Sequence, residues 1–238
     1  MTRVVRLPLN GMRELQVAVS RGVRACKLTI PSVPASDLFA EPLEVRLIDV
    51  DQREGNTTLG EQVLIIALAR SRRVRRVFEF GTFDGKTSAN LAANLGPEAE
   101  IVTIDLQAAQ VGATRLPMGA KDLKFARKER VGGKSSGCAN VVQVYGDTAQ
   151  FDFSPWYGTR DLVFVDACHE YEYVRNDTEI AFRLSRLGGL IVWHDYGIWV
   201  GVTRALNDFY SRDPRFQSVR HPAGTSICFL EVAREGSA

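Results

Sequence analysis

The chain lacks any long apolar run: nothing in its 238 residues approaches the roughly eighteen uninterrupted apolar residues that a membrane-spanning helix needs. Its first residues, MTRVVRLPLNGMREL, carry neither an apolar signal core nor a small-residue cleavage pattern, so a cytoplasmic protein with no membrane partner is expected. Cysteine is sparse and scattered. Cys26, Cys138, Cys168 and Cys228 form no CxxC pair and no zinc-ribbon spacing, which argues against a structural zinc site or a disulfide framework. An excess of one charge is also missing: 30 basic against 28 acidic residues leave a net +2, too little to imply a polyanionic partner. The positives do gather at Arg70 to Arg76 (RSRRVRR) and at Lys121 to Lys134, as solvated surface or as a phosphate-binding patch. There is no internal repeat, and the GxGxxG dinucleotide fingerprint is absent, because Phe83 and Lys86 stand where its later glycines belong.

What is present reads as one globular core. Apolar residues at 45% and charged residues at 24% are ordinary values that exclude a disordered or fibrous chain. Thr58-x-x-Glu61 is a capping box ahead of the apolar run VLIIALA, so a helix begins there. Strand-like runs then alternate with helices: VFEF (77 to 80), a helix over 87 to 95, IVTIDL (101 to 106), VVQVYG (141 to 146) and DLVFVDA (161 to 167). A helix over 173 to 187, LIVWHD (190 to 195), a helix over 202 to 209, FQSVR (216 to 220) and TSICFLEV (225 to 232) complete the series. Short apolar strands separated by helices predict a doubly wound, mainly parallel α/β sheet covered on both faces. Residues 1 to 54, with Pro31, Pro34 and Pro42, are expected to be an N-terminal extension packed on a domain spanning 55 to 238, where they shape a pocket or form a homodimer interface. Residues 107 to 140, long, basic and Gly-containing, interrupt the rhythm and are expected to be a mobile cover or a substrate-side insertion.

In an open α/β sheet, ligands bind beyond the carboxyl ends of the strands. The first strong strand runs straight into Glu79-Phe80-Gly81-Thr82-Phe83-Asp84-Gly85-Lys86-Thr87-Ser88. This ExGxxxG spacing resembles motif I of class I S-adenosylmethionine-dependent methyltransferases, in the E-x-G-T-x-x-G-x-[ST] form of catechol-type O-methyltransferases. The resemblance covers about residues 55 to 232. It implies a seven-stranded Rossmann-like methyltransferase sheet with a C-terminal antiparallel strand, and S-adenosylmethionine held by Glu79, Gly81, Thr82, Phe83, Gly85 and Ser88. It further implies Asp105 and Leu106 at the ribose, and Asp147 and Thr148 at the adenine. Gly55-Asn56-Thr57-Thr58 resembles the segment that closes over the methionine moiety. Taken alone, each aspartate reads equally as a cap or turn residue.

The next two strands end in Asp166-Ala167-Cys168-His169-Glu170-Tyr171 and in Trp193-His194-Asp195-Tyr196, so two of the three histidines fall at carboxyl strand ends. The D-x-x-H-x-Y run resembles metal-dependent O-methyltransferases, both catechol-type and a group acting on sugars and other natural-product alcohols. That resemblance implies His169 as base, Asp166 as a catalytic residue and metal ligand, and Asp195 with His194 completing the metal site, His194 being a departure from the usual acid. Oxygen ligands suit magnesium, whereas an imidazole turns preference toward manganese or its neighbours. The implied reaction is methyl transfer to a hydroxyl of a small molecule (a sugar, phenol or other natural-product alcohol), with no nucleic-acid partner. Other readings remain: a metal-independent enzyme using His169, with His194 merely packed; an RNA methyltransferase, supported by the basic 121 to 134 segment but lacking an Asn-Pro-Pro-Tyr-like motif; and a silent binding protein that kept the fold. Cys168 reads as a buried thiol. Trp193, Tyr171, Tyr173 and Trp199 read as pocket lining or as packing.

Overall fold

Residues 3–6, 26–126 and 131–233 are described by the computed structural model. In chain order the elements are β1 (Arg3–Arg6), β2 (Ser32–Val33), β3 (Glu44–Leu47), α1 (Leu59–Ser71), β4 (Arg76–Phe80), α2 (Lys86–Leu95), β5 (Glu100–Asp105) and α3 (Ala120–Ala126). They continue with β6 (Val141–Tyr145), β7 (Arg160–Val165), α4 (Tyr171–Leu184), β8 (Ser185–Trp193), α5 (Val200–Arg212), β9 (His221–Pro222) and β10 (Cys228–Glu231).

The main sheet runs in the order β10-β8-β7-β4-β5-β6. Strands β4 to β8 are parallel to their neighbours, and β10 lies antiparallel on β8. Winding reverses between β4 and β7, and a crevice opens at that switch point beyond the carboxyl ends of the strands. Period-two alternation sorts each strand's side chains between two cores. Phe78, Phe80, Val163, Val165, Ile191 and Trp193 face α4 and α5, whereas Val77, Leu162, Phe164, Leu190 and Val192 face α1 and α2. Helix α1 is buried continuously from Glu61 to Ala69, as a helix apolar on all sides must be. Its capping box forms as expected, with Glu61 Oε2 accepting from Thr58 N at 3.0 Å.

The expected seventh strand is the one departure in the sheet: among the described residues it has six. FQSVR instead makes a 3-10 turn over Pro214–Phe216 and a single bridge from Arg220 to Phe229. Pro214 and Pro222 supply no N–H to a ladder, Phe216 is fully buried, and the backbone beyond Arg220 pairs with β2 through His221 N–H to Pro31 O.

Of the N-terminal 54 residues, 1–2 and 7–25 lie outside the described residues. The rest lies against the body: β3 packs on α1 and α2, and the Tyr196 hydroxyl accepts from Thr29 N and Ile30 N. The 107–140 insertion, whose residues 127–130 lie outside the described residues, holds a 3-10 turn at Ala108–Gln110, the helix α3 and a turn over 131–137. This last turn is fastened to the loop after β4. Gly132 N and Lys134 N donate to Phe83 O and Asp84 O, both at 2.8 Å, and the Lys134 ammonium pairs with Asp49 and Asp84.

Candidate active site

The loop after β4 crosses directly over the start of the loop after β7. Gly81 sits at φ +89°, and a Cβ there would lie 2.0 Å from Asp166 O, so only glycine allows the two backbones to meet. Gly85, at φ +83°, makes room in the same way for Ser135 of the insertion, whose Oγ would be 2.5 Å from a Cβ. The crevice above these loops is a cavity of about 760 Å³, within the range of small-molecule sites.

The residues matched to a cofactor site divide into two sets. Gly81, Phe83, Asp105, Leu106, Asp147 and Thr148 line the cavity, together with Gly55 and Asn56. Glu79, Thr82, Gly85 and Ser88 do not. The Glu79 carboxyl points to the α2 side of the sheet, where it takes hydroxyl donors from Ser88 and Thr103. Burial pushes it up to about 8, against those hydroxyls, so at neutral pH it is a neutral acid bracing the loop. Asp105 accepts from Phe83 N and Leu106 N, both at 2.7 Å, and these bonds hold the Phe83 turn (φ +50°) at the cavity edge. Asp147 already takes four donors: Arg115 N at 2.7 Å, Gln150 Nε2 at 2.7 Å, Ala149 N at 3.0 Å and the Tyr173 hydroxyl at 2.9 Å. A further donor at this carboxylate has to displace one of them.

At the other end of the cavity the strand ends bring together Asp166, His169, His194 and Asp195. The structure adds two acids from distant elements, Asp122 on α3 and Glu61 on α1. His169 Nδ1 is 2.5 Å from Asp122 Oδ1, and its Nε2 is 2.8 Å from Asp195 Oδ2. The Trp199 ring stacks on the imidazole at 4.1 Å and 12°. Burial disfavours the charged ring, but the two carboxylates outweigh it and raise its pKa to about 10. His169 is therefore an imidazolium at neutral pH, not the near-neutral base that an unperturbed histidine would be. Asp195 adopts φ +65°, a strained conformation for a residue with a Cβ, of the kind that clusters at functional sites. Burial acts against its charge, yet the His194 and His169 rings hold its carboxyl well below the usual range.

His194 is buried, with Nδ1 3.0 Å from Asp166 Oδ1 and Nε2 3.3 Å from Glu61 Oε2. Both its ring nitrogens face carboxylates. The group whose donor atoms lie close enough for one cation, all within 4.8 Å of one another, is Asp166, His169 and Asp195. His169 thus stands where the sequence reading puts His194. Cys168 faces Asp122, its thiol pushed far above the ordinary range by burial, and is no nucleophile. Of the aromatics, Tyr173 and Trp199 line the cavity, Trp193 is core, and the Tyr171 hydroxyl donates to Asp208 at 2.7 Å.

Sequence reasoning missed Asp122 and saw Glu61 only as a cap. Asp122 lies inside a basic run with no motif around it. Glu61 does act as a cap, yet its Oε1 also accepts from Ser226 N and Oγ, both at 2.7 Å, which ties the last hairpin to α1 beneath His194.

Comparison with known proteins agrees with this arrangement. Residues 78–196 match the family model described as a methyltransferase domain, and the chain belongs to that family. A catechol O-methyltransferase of Mycobacterium tuberculosis is 29% identical over 164 residues, covering 68% of this chain and 63% of the relative, so the chain matches somewhat less than two thirds of that protein's length. The solved methyltransferase PaMTH1 of Podospora anserina, bound to SAH, superposes with a TM-score of 0.54 at 19% identity, covering 76% of this chain and 81% of the other. The O-methyltransferase TomG of Streptomyces achromogenes, solved with SAM, gives 0.50 at 20% identity, with 79% and 93% covered. These structures share the fold. No helix among the described residues is long and apolar enough to cross a membrane.

Proposed function

We propose that this chain transfers the methyl group of S-adenosylmethionine to a hydroxyl of a small molecule, assisted by a divalent cation. The observation that carries the reading is the meeting, in one cavity, of Gly81 after β4 and Asp105 at the end of β5 with the Asp166, His169 and Asp195 cluster at the ends of β7 and β8. The catechol O-methyltransferase of Mycobacterium tuberculosis, a relative of this chain, supports the same reaction. S-adenosylmethionine brings an electrophilic sulfonium methyl, and Gly55, Asn56, Gly81, Phe83 and the 105–106 and 147–148 segments border the part of the cavity where it would lie. The acceptor hydroxyl then belongs at the other end, beside His169 and Trp199, because transfer needs oxygen, methyl carbon and sulfur in line.

The donor set fits a divalent cation. Asp166 and Asp195 offer oxygens, and His169 would offer Nε2 once a cation displaced the proton from that nitrogen, a mixed set that suits manganese or its neighbours as well as magnesium. Such an ion would lower the pKa of a bound hydroxyl. The chain's own part is to orient the acceptor oxygen and, where no cation takes Nε2, to hold a proton at His169. Asp122 keeps that ring positioned through Nδ1 and leaves Nε2 directed at Asp195.

A metal-independent enzyme is the second reading, favoured by the 2.8 Å contact of His169 Nε2 with Asp195, which pairs the imidazolium without any ion. Calorimetric titration with S-adenosylhomocysteine, after EDTA and then with magnesium, manganese or zinc, separates the two. Cofactor binding together with a metal isotherm that is lost in Asp166→Ala and Asp195→Ala is the expected result. Cofactor binding and catechol methylation that are indifferent to EDTA would favour His169 alone. Absence of S-adenosylhomocysteine binding would overturn the proposal.

A further inference from the structure

The cavity carries its charge unevenly. Asp122, Asp166 and Asp195 line one end beside His169 and His194, and that end suits a cation or a hydroxyl. Helix α3, which also carries Asp122, supplies two lysines to the cavity wall. Lys124 is neutralised by Glu54, 3.1 Å away. Lys121 also lines the cavity, but among the described residues no carboxylate pairs with it, and its Nζ stands 5.3 Å from the Trp199 ring. That ring is the one stacked on His169. An ammonium with no carboxylate partner among the described residues and the proposed reacting centre therefore meet at a single indole.

Building on the methyl-transfer reading above, we infer that the acceptor is a hydroxylated organic acid whose anionic group is bound by Lys121. The orientation follows from the charges. Asp166 and Asp195 are already engaged with His169, His194 or a cation, so the uncommitted charge at this wall is Lys121; an acceptor carboxylate drawn to it turns its hydroxyl toward His169. A cation beside Trp199 also needs no rearrangement to receive an anion, because the ring face steadies the ammonium without neutralising it. Consecutive residues of α3 thus divide two tasks: Lys121 reads the acceptor's charge, and Asp122 holds the imidazole its hydroxyl meets.

The test compares protocatechuate with its neutral primary alcohol by calorimetry on the protein saturated with S-adenosylhomocysteine, and by methylation rates with S-adenosylmethionine. The acid should bind about tenfold more tightly, the size of one charge-assisted hydrogen bond. Lys121→Gln should erase that preference while leaving binding of the alcohol and of S-adenosylhomocysteine unchanged. Lys121→Arg should restore most of it. Equal binding of the two probes, no binding of the acid, or a preference that survives Lys121→Gln would overturn the inference. Failure to bind S-adenosylhomocysteine would instead bring down the methyl-transfer reading itself, so the two failures are distinguishable.

Discussion

Asp122 and His169 are 47 residues apart in sequence, on different sides of β6 and β7, yet their side chains meet at 2.5 Å. The carboxylate comes from a short helix in the insertion, and with Asp195 it sets the orientation and the charge of the imidazole stacked on Trp199. Insertion and site are therefore one structure.

Replacing that acid gives the most direct check. In Asp122→Asn the imidazole keeps its steric neighbour but loses one of two charges, so its titration midpoint should fall by about 1–3 pH units from near 10. With only three histidines in the chain, proton NMR of the imidazoles measures this directly. Methyl transfer should fall about 10-fold to 100-fold, in kcat more than in KM, as expected when a group that orients the reacting end is lost. An unmoved midpoint would separate Asp122 from the site.

His194 should behave in the opposite way, as a stabilising residue. Its ring lies between Glu61 and Asp166, so His194→Ala leaves buried carboxylates without their partner. A loss of about 3–5 kcal/mol in urea unfolding is expected. His194→Ala as mild as a surface substitution would show that water or a cation already shields those acids.

Glu79 predicts a pH dependence of stability. Its pKa is raised by burial from an ordinary 4.5 to about 8, so between those values the unfolded chain has released this proton while the folded chain keeps it. The contribution of Glu79 is then full below about pH 4.5 and is lost as pH rises through about 8. Glu79→Gln, a neutral mimic of the protonated acid, should become more stable relative to the natural protein as pH rises from about 5 to 8.5 in thermal melts. Affinity for S-adenosylhomocysteine should change only a few-fold, because the side chain faces Ser88 and Thr103 and not the cavity.

Gly81→Ala should be far more damaging than its size suggests. The added methyl group meets the Asp166 carbonyl, and the left-handed backbone alone costs about 1–3 kcal/mol for a residue with a Cβ. Melting temperature should drop, and both cofactor and metal isotherms should weaken together, because the clash pushes apart the two loops that carry the two halves of the site. Weakening of one without the other would deny this coupling.

Local pattern determined a great deal here. Period-two apolar runs separated by helical segments dictated the parallel sheet, Thr58-x-x-Glu61 dictated the start of α1, and glycine spacing after β4 marked the loop where backbones cross. These are short-range effects, written within a few neighbouring residues, and the D-x-x-H and His-Asp runs reached the same cavity because parallel strands deliver their carboxyl ends to one edge. Tertiary structure alone decided the rest. FQSVR has strand-like composition, yet β2 occupied the backbone just beyond it, and Phe216 was worth more in the core. Asp122 in a basic run, Glu61 beneath a cap and Lys121 beside Trp199 carry no local signature, because their partners are set by how an insertion folds back over the sheet. The different surroundings of His169 and His194 have the same origin. Both lie at a strand end and both sit between two carboxylates, and only the packing of α1 under one and α3 over the other determined that His194 pairs with Glu61 and His169 with Asp122.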